Sequence, residues 1–287
     1  MSVTTTTTSP STWLVTGASR GLGLQLVRTL LQRGHAVAAT TRSTQRLAEG
    51  LADVDTTDLL PLQVDLTHEQ AVADAVTTTV ERFGRLDVVV NNAGYGFLGA
   101  VEETSDVEVR RMFGVQVFGA WNVLRSVLPV MRRQRTGHVV NISSVLGLTA
   151  VPGWGAYCAA KFALEGLTEA LAGEVADLGI TVSAVEPGYF RTGFLSESLA
   201  LPATTTDGYQ PIREMVEAHL AMPGTQLGDP VAGAAAVVDL VTAGGSRLRH
   251  LLGSDSYAYA GAKVEALRAD VEASRPVAVT TDFPQAS

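Results

Sequence analysis

Tyr157 and Lys161 are four residues apart, a spacing that puts both side chains on one face of a helix. An ammonium group beside a phenol stabilises the phenolate and lowers its pKa, so Tyr157 could exchange a proton near neutral pH. Ser144 follows an apolar run at 139–142 that predicts a strand. From the carboxyl end of that strand, its hydroxyl could hydrogen-bond a substrate oxygen. These three residues predict acid–base chemistry at an oxygen atom.

A glycine-rich turn lies between the first apolar run, 13–15, and a helical pattern that contains Leu26 and Leu30. The turn reads Thr16-Gly17-Ala18-Ser19-Arg20-Gly21-Leu22-Gly23. Glycines let the backbone approach a pyrophosphate, and the start of the helix offers free N–H groups and a positive dipole end. The turn therefore predicts a dinucleotide site, with tight packing of helix on strand as the alternative.

Short apolar runs alternate with helical stretches along the chain. The runs are 13–15, 36–40, 59–64, 86–90, 139–142, 180–185 and 251–252. Runs that are apolar throughout are typical of strands buried on both faces, as in parallel sheets covered by helices. The pattern predicts an α/β fold with a doubly wound parallel sheet, whose ligands bind outside the carboxyl ends of the strands.

The domain boundaries follow from composition. We expect a single domain over 11–275, a disordered lead-in at 1–10 and a flexible tail at 276–287. A segment rich in Thr, Pro and Gly, ahead of a helical pattern at 212–220, predicts a substrate lid over about 189–226.

Composition excludes several classes of function. The net charge is −8, which disfavours nucleic-acid binding, because such proteins cluster Lys and Arg against phosphates. The single cysteine and five histidines have no ligand spacing, so no metal site is expected. No apolar stretch reaches the length of a membrane helix, and no secretory leader is recognisable, so a cytoplasmic location is predicted.

Four further motifs follow the glycine turn in order. They are Asn91-Asn92-Ala93-Gly94, Asn141-Ile142-Ser143-Ser144, Tyr157-Cys158-Ala159-Ala160-Lys161, and Pro187-Gly188 with Thr192. Over residues 13–192 this series resembles the short-chain dehydrogenase/reductase family, and later segments are similar to bacterial relatives of hydroxysteroid and retinol dehydrogenases. The resemblance implies a Rossmann-type fold and hydride transfer between a nicotinamide and a carbonyl or alcohol. Tyr157 would be the acid/base, Lys161 would also hold the nicotinamide ribose, and Ser144 would position the substrate oxygen.

The same resemblance implies a set of cofactor-binding residues. They are Gly17, Ser19, Arg20, Gly21, Leu22, Gly23, Arg42, Asp65, Leu66, Asn91, Ala93, Gly94, Tyr157, Lys161, Pro187, Gly188 and Thr192. Family members that prefer NAD usually carry an acidic residue after the second strand, where this chain has Arg42. The guanidinium groups of Arg20 and Arg42 suit the 2′-phosphate of NADP(H), and no carboxylate is expected beside them to repel it. These residues therefore predict a preference for NADP(H) over NAD(H). Asp65 could equally be a helix cap.

Gln116 stands where the family usually has an asparagine that completes the catalytic set and holds a water connected to the lysine. Asn122 is six residues later and is expected to face elsewhere. Gln116 keeps the amide on a longer side chain, so our hypothesis is a working enzyme with an altered proton relay. If this hypothesis is right, exchange of Gln116 for asparagine changes the turnover rate or its pH profile.

Apolar and aromatic residues close to these motifs predict a hydrophobic substrate pocket. They are Tyr95, Leu146, Trp154, Tyr189, Phe190 and Phe194. Plain packing is the alternative at each of them. The helices around 121–131 and 162–172 could pair between subunits, as in family dimers and tetramers, so a homodimer or homotetramer is expected.

Three functions remain open from the sequence. The first is an NADPH-dependent oxidoreductase that interconverts a ketone or aldehyde and an alcohol on a hydrophobic small molecule. The second is epimerase- or lyase-like chemistry on the same scaffold, which Gln116 keeps open. The third is a cofactor-binding regulatory protein, which the intact Ser144, Tyr157 and Lys161 disfavour.

Overall fold

A computed structural model describes residues 10–245 and 247–283. The strands are β1 (Thr12–Thr16), β2 (Ala36–Thr41), β3 (Leu59–Gln63), β4 (Val88–Asn91), β5 (Gly96–Phe97), β6 (Gly137–Ile142), β7 (Ile180–Pro187), β8 (Leu199–Ala200) and β9 (Arg249–Leu252). The α-helices are α1 (Gly21–Gln32), α2 (Thr44–Gly50), α3 (Glu69–Phe83), α4 (Asp106–Phe113), α5 (Gly119–Gln134), α6 (Gly155–Val175), α7 (Gln210–Leu220), α8 (Pro230–Thr242) and α9 (Ser254–Ala278).

Seven parallel strands form the central sheet in the order β3-β2-β1-β4-β6-β7-β9. The chain winds outward from β1 in one direction and then resumes at β4 on the other side, so the crevice for a ligand opens at the carboxyl ends of β1 and β4. The predicted Rossmann-type fold is confirmed, and each predicted run is a strand of this sheet.

Side chains of β1 explain why helices cover both faces of the sheet. Trp13 and Val15 pack into a core with α1 and α8, whereas Leu14 packs into the opposite core with α3 and α5. Successive residues of a strand point to opposite faces, so an unbroken apolar run needs an apolar layer on each side. On α1, Leu26 and Leu30 are fully buried in the first of these cores.

The register aligns the carboxyl ends of the central strands. Asn91 at the end of β4 pairs with Asn141 near the end of β6, and Pro187 at the end of β7 pairs with Leu252 of β9. The loops that follow β1, β4, β6 and β7 therefore open onto one edge of the sheet, where the predicted motifs lie.

The lid region contains structure that the sequence did not indicate. The two-residue strand β8 pairs with β5, which follows the motif after β4, and so ties the lid to the body of the domain. Helix α7 begins at Gln210, slightly before the predicted start at 212.

The ends of the chain differ in part from the predicted boundaries. Helix α9 continues through Pro276 to Ala278, beyond the predicted domain end at 275, and residues 279–283 are exposed. Most of the predicted lead-in at 1–10, and residues 284–287 of the predicted tail, lie outside the described residues. Among the described helices, none combines the length and the apolar composition that a bilayer crossing requires.

Candidate active site

A cavity of about 730 Å³ opens at the carboxyl edge of the sheet, between the glycine turn, the ends of β4, β6 and β7, and the lid. Most of the predicted cofactor residues line it. They are Gly17, Ser19, Arg20, Gly21, Leu22, Gly23, Arg42, Asp65, Leu66, Ala93, Gly94, Tyr157, Lys161, Pro187, Gly188 and Thr192. Residues far apart in sequence thus meet in one cleft, as the topology requires.

Asn91 is the exception among the predicted cofactor residues, because it does not line this cavity. It is the last residue of β4, and its Nδ2 donates a hydrogen bond to Asn141 Oδ1 at 2.9 Å inside the sheet. The next residue, Asn92, lines the cavity instead and donates from Nδ2 to the carbonyls of Thr16 at 2.8 Å and Gly17 at 3.2 Å. Asn92 therefore ties the glycine turn to the loop after β4.

The glycine turn is packed so closely that side chains are excluded. Gly17 has a φ of +67°, and a Cβ added there would lie 2.7 Å from Ala93 Cα. A Cβ on Gly23 would lie 2.5 Å from the Gly17 carbonyl oxygen. The turn leads into α1, and the N-cap residue Arg20 makes no side-chain bond to the first N–H groups of the helix within the described chain. A close backbone cradle and a helix N-terminus fit the pyrophosphate of a dinucleotide.

Three arginines, from the turn after β1, the end of β2 and α2, line the cavity close to the glycine turn. They are Arg20, Arg42 and Arg46. Burial lowers the pKa of Arg20, and the positive charges of Arg42 and Arg46 act in the same direction. Mutual repulsion among cations favours binding of an anion between them.

One carboxylate enters this arginine cluster, contrary to the expectation from the sequence. Arg20 donates to the backbone carbonyl of Glu197 at 3.2 Å and lies 3.8 Å from its carboxylate. Glu197 is on the lid side of the cavity and its side chain is 66% exposed, so solvent screens its charge. Arg42 and Arg46 have no ion pair within the described residues.

Asp65 lines the cavity but does not cap the following helix, so the helix-cap alternative is wrong. It lines the cavity after β3, and its Oδ1 accepts hydrogen bonds from Thr67 N at 2.9 Å and Thr67 Oγ1 at 2.7 Å. These bonds hold the pKa of Asp65 below its usual range. Helix α3 itself has His68 as its N-cap residue, so Asp65 fixes the turn that precedes the helix.

Ser144, Tyr157 and Lys161 are buried and line the same part of the cavity. Ser144 is the second residue after β6, and the other two lie on the first turns of α6. Lys161 Nζ donates to the carbonyl oxygen of Ile142 at 3.0 Å and lies 5.6 Å from the centre of the Tyr157 ring. The carboxyl end of β6 therefore fixes the ammonium beside the phenol.

The pKa of Tyr157 differs from the expectation, because burial raises it above the usual range of a phenol. The Ser144 hydroxyl opposes this shift by stabilising the phenolate. Burial also lowers the pKa of Lys161 to about 8, against the effect of the neighbouring Glu165. Desolvation of both groups outweighs the attraction that the sequence suggested, so the resting site holds a protonated phenol.

Gln116 lies in a π-helical segment, Gly114–Phe118, between α4 and α5. It is buried, lines the cavity, and donates from Nε2 to the carbonyl oxygen of Tyr95 at 3.0 Å. Asn122 donates to the carbonyl of Leu66 and does not line the cavity, as expected. An extra residue in a π-helical turn shifts the side chains that follow, and such turns are frequent at functional sites.

All predicted substrate-pocket residues line the cavity. They are Tyr95, Leu146, Trp154, Tyr189, Phe190 and Phe194. The Tyr157 ring packs edge-on against Trp154 at 5.5 Å and against Phe194 at 5.7 Å between ring centres. The phenolic group is therefore framed by aromatic side chains from both the body and the lid.

Several lining residues were missed by sequence reasoning. They include Arg46, Asn92, Arg111, Glu197 and Tyr259. Arg46 lies on the first turn of α2, close in sequence to the predicted Arg42, and this proximity could have indicated it. Glu197 and Tyr259 reach the cavity only through the folding of the lid and the packing of α9, and no local signal marks them.

Three comparisons place the chain among known proteins. Residues 11–200 match the family described as short chain dehydrogenase. Oxidoreductase BOA17 of Botryotinia fuckeliana is 34% identical over 94% of this chain and 98% of the relative. Human retinol dehydrogenase 8 is 38% identical over 67% of this chain and 63% of the relative. The crystal structure of a short-chain dehydrogenase from Streptomyces avermitilis has a TM-score of 0.87 and 36% identity, covering 96% of this chain and 100% of that one.

Proposed function

This chain belongs to the short-chain dehydrogenase family and is a nicotinamide-dependent oxidoreductase of CH–OH or C=O groups, and from that premise we propose that it reduces hydrophobic ketones or aldehydes with NADPH, or catalyses the reverse reaction. The observation that carries the proposal is the burial of Ser144, Tyr157 and Lys161 in one cavity lined by arginines at one end and aromatic residues at the other.

Tyr157 is the group that exchanges the proton in the proposed reaction. When bound, the nicotinamide supplies or accepts the hydride. Tyr157 donates its phenolic proton to the carbonyl oxygen during reduction and accepts the alcohol proton during oxidation. Because burial raises the pKa of Tyr157, the phenol stays protonated at neutral pH, which suits the donor role.

Ser144 and Lys161 prepare that proton transfer. Ser144 is placed to hydrogen-bond the substrate oxygen and stabilises the phenolate that forms. Lys161, held by the Ile142 carbonyl, presents its ammonium beside the Tyr157 ring, where it would also hold the ribose of a bound nicotinamide nucleotide. Gln116 holds the carbonyl of Tyr95 and so shapes the wall next to this site.

The preference for NADP(H) rests on the arginine cluster. Arg42 and Arg46 line the cavity, and neither has a carboxylate partner among the described residues. Arg20 lies close to the carboxylate of Glu197, which is exposed to solvent. Guanidinium groups bind phosphate oxygens in a bidentate manner and have nothing equivalent to hold on an unphosphorylated ribose.

A hydrophobic substrate is supported by the aromatic end of the cavity. Trp154, Tyr189 and Phe194 present mainly apolar surface around the phenol of Tyr157. Human retinol dehydrogenase 8, one of the relatives, is named for an apolar alcohol. A homodimer or homotetramer is supported by the exposure of Phe118, Trp121 and Phe162 on and next to α5 and α6. A cytoplasmic location stays a prediction from the sequence.

Consumption of NADPH with a panel of apolar ketones tests the proposal. Tyr157→Phe removes the proton donor, so the rate should fall by roughly 100- to 10,000-fold while NADPH binding, followed by fluorescence, persists. Tyr257→Phe is the matched control, because Tyr257 is 73% exposed on α9 and should behave as the wild type. Reduction by Tyr157→Phe at the wild-type rate would refute the mechanism, and an absence of net NADPH consumption would favour non-redox chemistry.

A further inference from the structure

Two carboxyl groups are buried behind Lys161, and the proposed mechanism uses neither. Glu165 lies one helical turn after Lys161 on α6, and Glu186 is the penultimate residue of β7. Their side chains are 6% and 0% exposed. Carboxylates are rarely buried unless a partner compensates for the loss of hydration. Each of these two carboxyls must therefore either have a positively charged partner or keep its proton.

Arg249 on β9 is the shared partner of both carboxyls. Its Nε lies 3.5 Å from Glu165 Oε2 and 3.7 Å from Glu186 Oε1. Its Nη2, however, donates at 2.8 Å to Glu169, which is exposed on α6. The Arg249 guanidinium therefore contacts three carboxyl groups, and its shortest contact is with Glu169, the one exposed to solvent.

Glu165 also lies against the loop that carries the catalytic serine. A Cβ added to Gly147 would lie 3.0 Å from Glu165 Cγ, 2.7 Å from Ser143 Oγ and 3.2 Å from the Lys161 carbonyl oxygen. Ser143 lines the cavity directly before Ser144. The glycine at 147 thus allows Glu165, Ser143 and the Lys161 turn of α6 to pack together.

We propose that Glu165 and Glu186 hold a single proton, carried by Glu186, and that the ionised Glu165 is a positioning residue which keeps the Lys161 ammonium charged during turnover. The single positive charge of Arg249, which is also shared with Glu169, cannot compensate two buried carboxylates, so the more deeply buried carboxyl keeps its proton. The carboxylate nearer Lys161 then compensates the buried ammonium. The role of Glu165 in turnover rests on the proposed function, whereas the protonation of the pair does not.

The surrounding charges agree with this assignment. Burial raises the pKa of Glu186 to about 8, and the neighbouring Glu165 acts in the same direction. Burial also raises the pKa of Glu165, but Ser143, Arg249 and Lys161 all favour its ionised form. The charged groups around the pair are Lys161 and Glu169 from α6 and Arg249 from β9, and the backbone of His250 also hydrogen-bonds Glu186.

The pH dependence of turnover tests the role of Glu165. Glu165→Gln removes the negative charge, so Lys161 should lose its proton at lower pH, and the alkaline limb of kcat should move down by about one pH unit. Glu165→Asp keeps the charge and should restore most of the shift. Glu169→Gln, at the exposed carboxyl on the same arginine, is the control and should leave the limb in place. An unchanged limb in correctly folded Glu165→Gln would overturn the proposal.

Two measurements without turnover separate this inference from the proposed function. In infrared spectra at neutral pH, the wild type should show the carbonyl band of a buried protonated carboxyl, and Glu186→Gln should lack it. A band that survives in Glu186→Gln would place the proton on Glu165 and overturn the assignment.

The pH dependence of NADPH affinity gives the second measurement, because it follows the charge of Lys161. The pH at the midpoint of this dependence should be lower in Glu165→Gln than in the wild type, and it should be unchanged in Glu169→Gln. An unchanged midpoint in Glu165→Gln would contradict the inference. If these binding and infrared results appear but no carbonyl compound is reduced, the proposed function fails while the assignment of the proton stands.

Discussion

The two ends of the cavity are built in opposite ways. The glycine end, Gly17–Gly23, is a single continuous stretch in which backbone atoms make the surface. The aromatic end consists of Leu146, Trp154, Tyr189, Phe190 and Phe194, which come from the loops after β6 and β7 and from the start of the lid. The glycine end depends on the absence of a side chain at Gly17 and Gly23, whereas the aromatic end depends on large side chains.

This difference has consequences for what each end can recognise. A backbone cradle at a helix N-terminus binds a pyrophosphate in one fixed geometry, so it tolerates little change. Aromatic walls exclude water and fit many apolar shapes, with contacts such as the 5.7 Å pair of Tyr157 and Phe194 setting the position of the phenol. Substitutions at the two ends should therefore affect different kinetic constants.

Among the substitutions that compare the two ends, Gly23→Ala at the glycine end is expected to have the largest effect. The added Cβ would lie 2.5 Å from the Gly17 carbonyl oxygen and 2.4 Å from Asn92 Nδ2, so the turn must open. Overpacking of this kind costs about 1–3 kcal/mol, and NADPH affinity should fall by up to about 100-fold. Gly261→Ala, where nothing lies within 4 Å of an added Cβ, is the control. Equal NADPH affinity in both variants, measured by fluorescence titration, would show that the turn does not form the cradle.

An intermediate effect is expected from Arg42→Ala, which should change the preference between NADPH and NADH. Loss of a charge-assisted bond to the 2′-phosphate should lower kcat/KM with NADPH by about tenfold and leave the value with NADH nearly unchanged. Arg33→Ala is a matched control, because Arg33 pairs with Asp239 on the α8 side of the domain, away from the cavity. A parallel loss with both cofactors would contradict the proposed preference.

The smallest effect is expected at the aromatic end, from Phe194→Ala. The variant loses the edge contact with Tyr157 and part of the apolar wall, so KM for apolar ketones should rise by about fivefold. NADPH affinity should stay the same, since the glycine end is untouched. A change in NADPH affinity of the same size as that in KM would show that the two ends are not independent.

Much of the fold and of the glycine end could be predicted from the sequence. The uninterrupted apolar runs, such as the one containing Val88 and Val89, predicted strands covered on both sides, because only a buried parallel strand needs apolar residues at every position. Gly17, Gly21 and Gly23 predicted the turn, since positive φ angles and close backbone contacts leave signatures in residue type. Helical spacing predicted that Tyr157 and Lys161 lie side by side, whereas their roles came from the resemblance of the whole motif series.

Long-range packing decided what the sequence could not indicate. Burial raises the pKa of Tyr157 and lowers that of Lys161, because desolvation depends on atoms from distant segments rather than on the four-residue spacing. Glu197 reaches Arg20 only through the folding of the lid. Asn91 turns into the sheet to meet Asn141 because β4 and β6 are in register at that point. The sequence by itself determined which backbone shapes and local pairs are possible, whereas the tertiary structure decided the electrostatics, since solvent exclusion is a property of the whole packed domain.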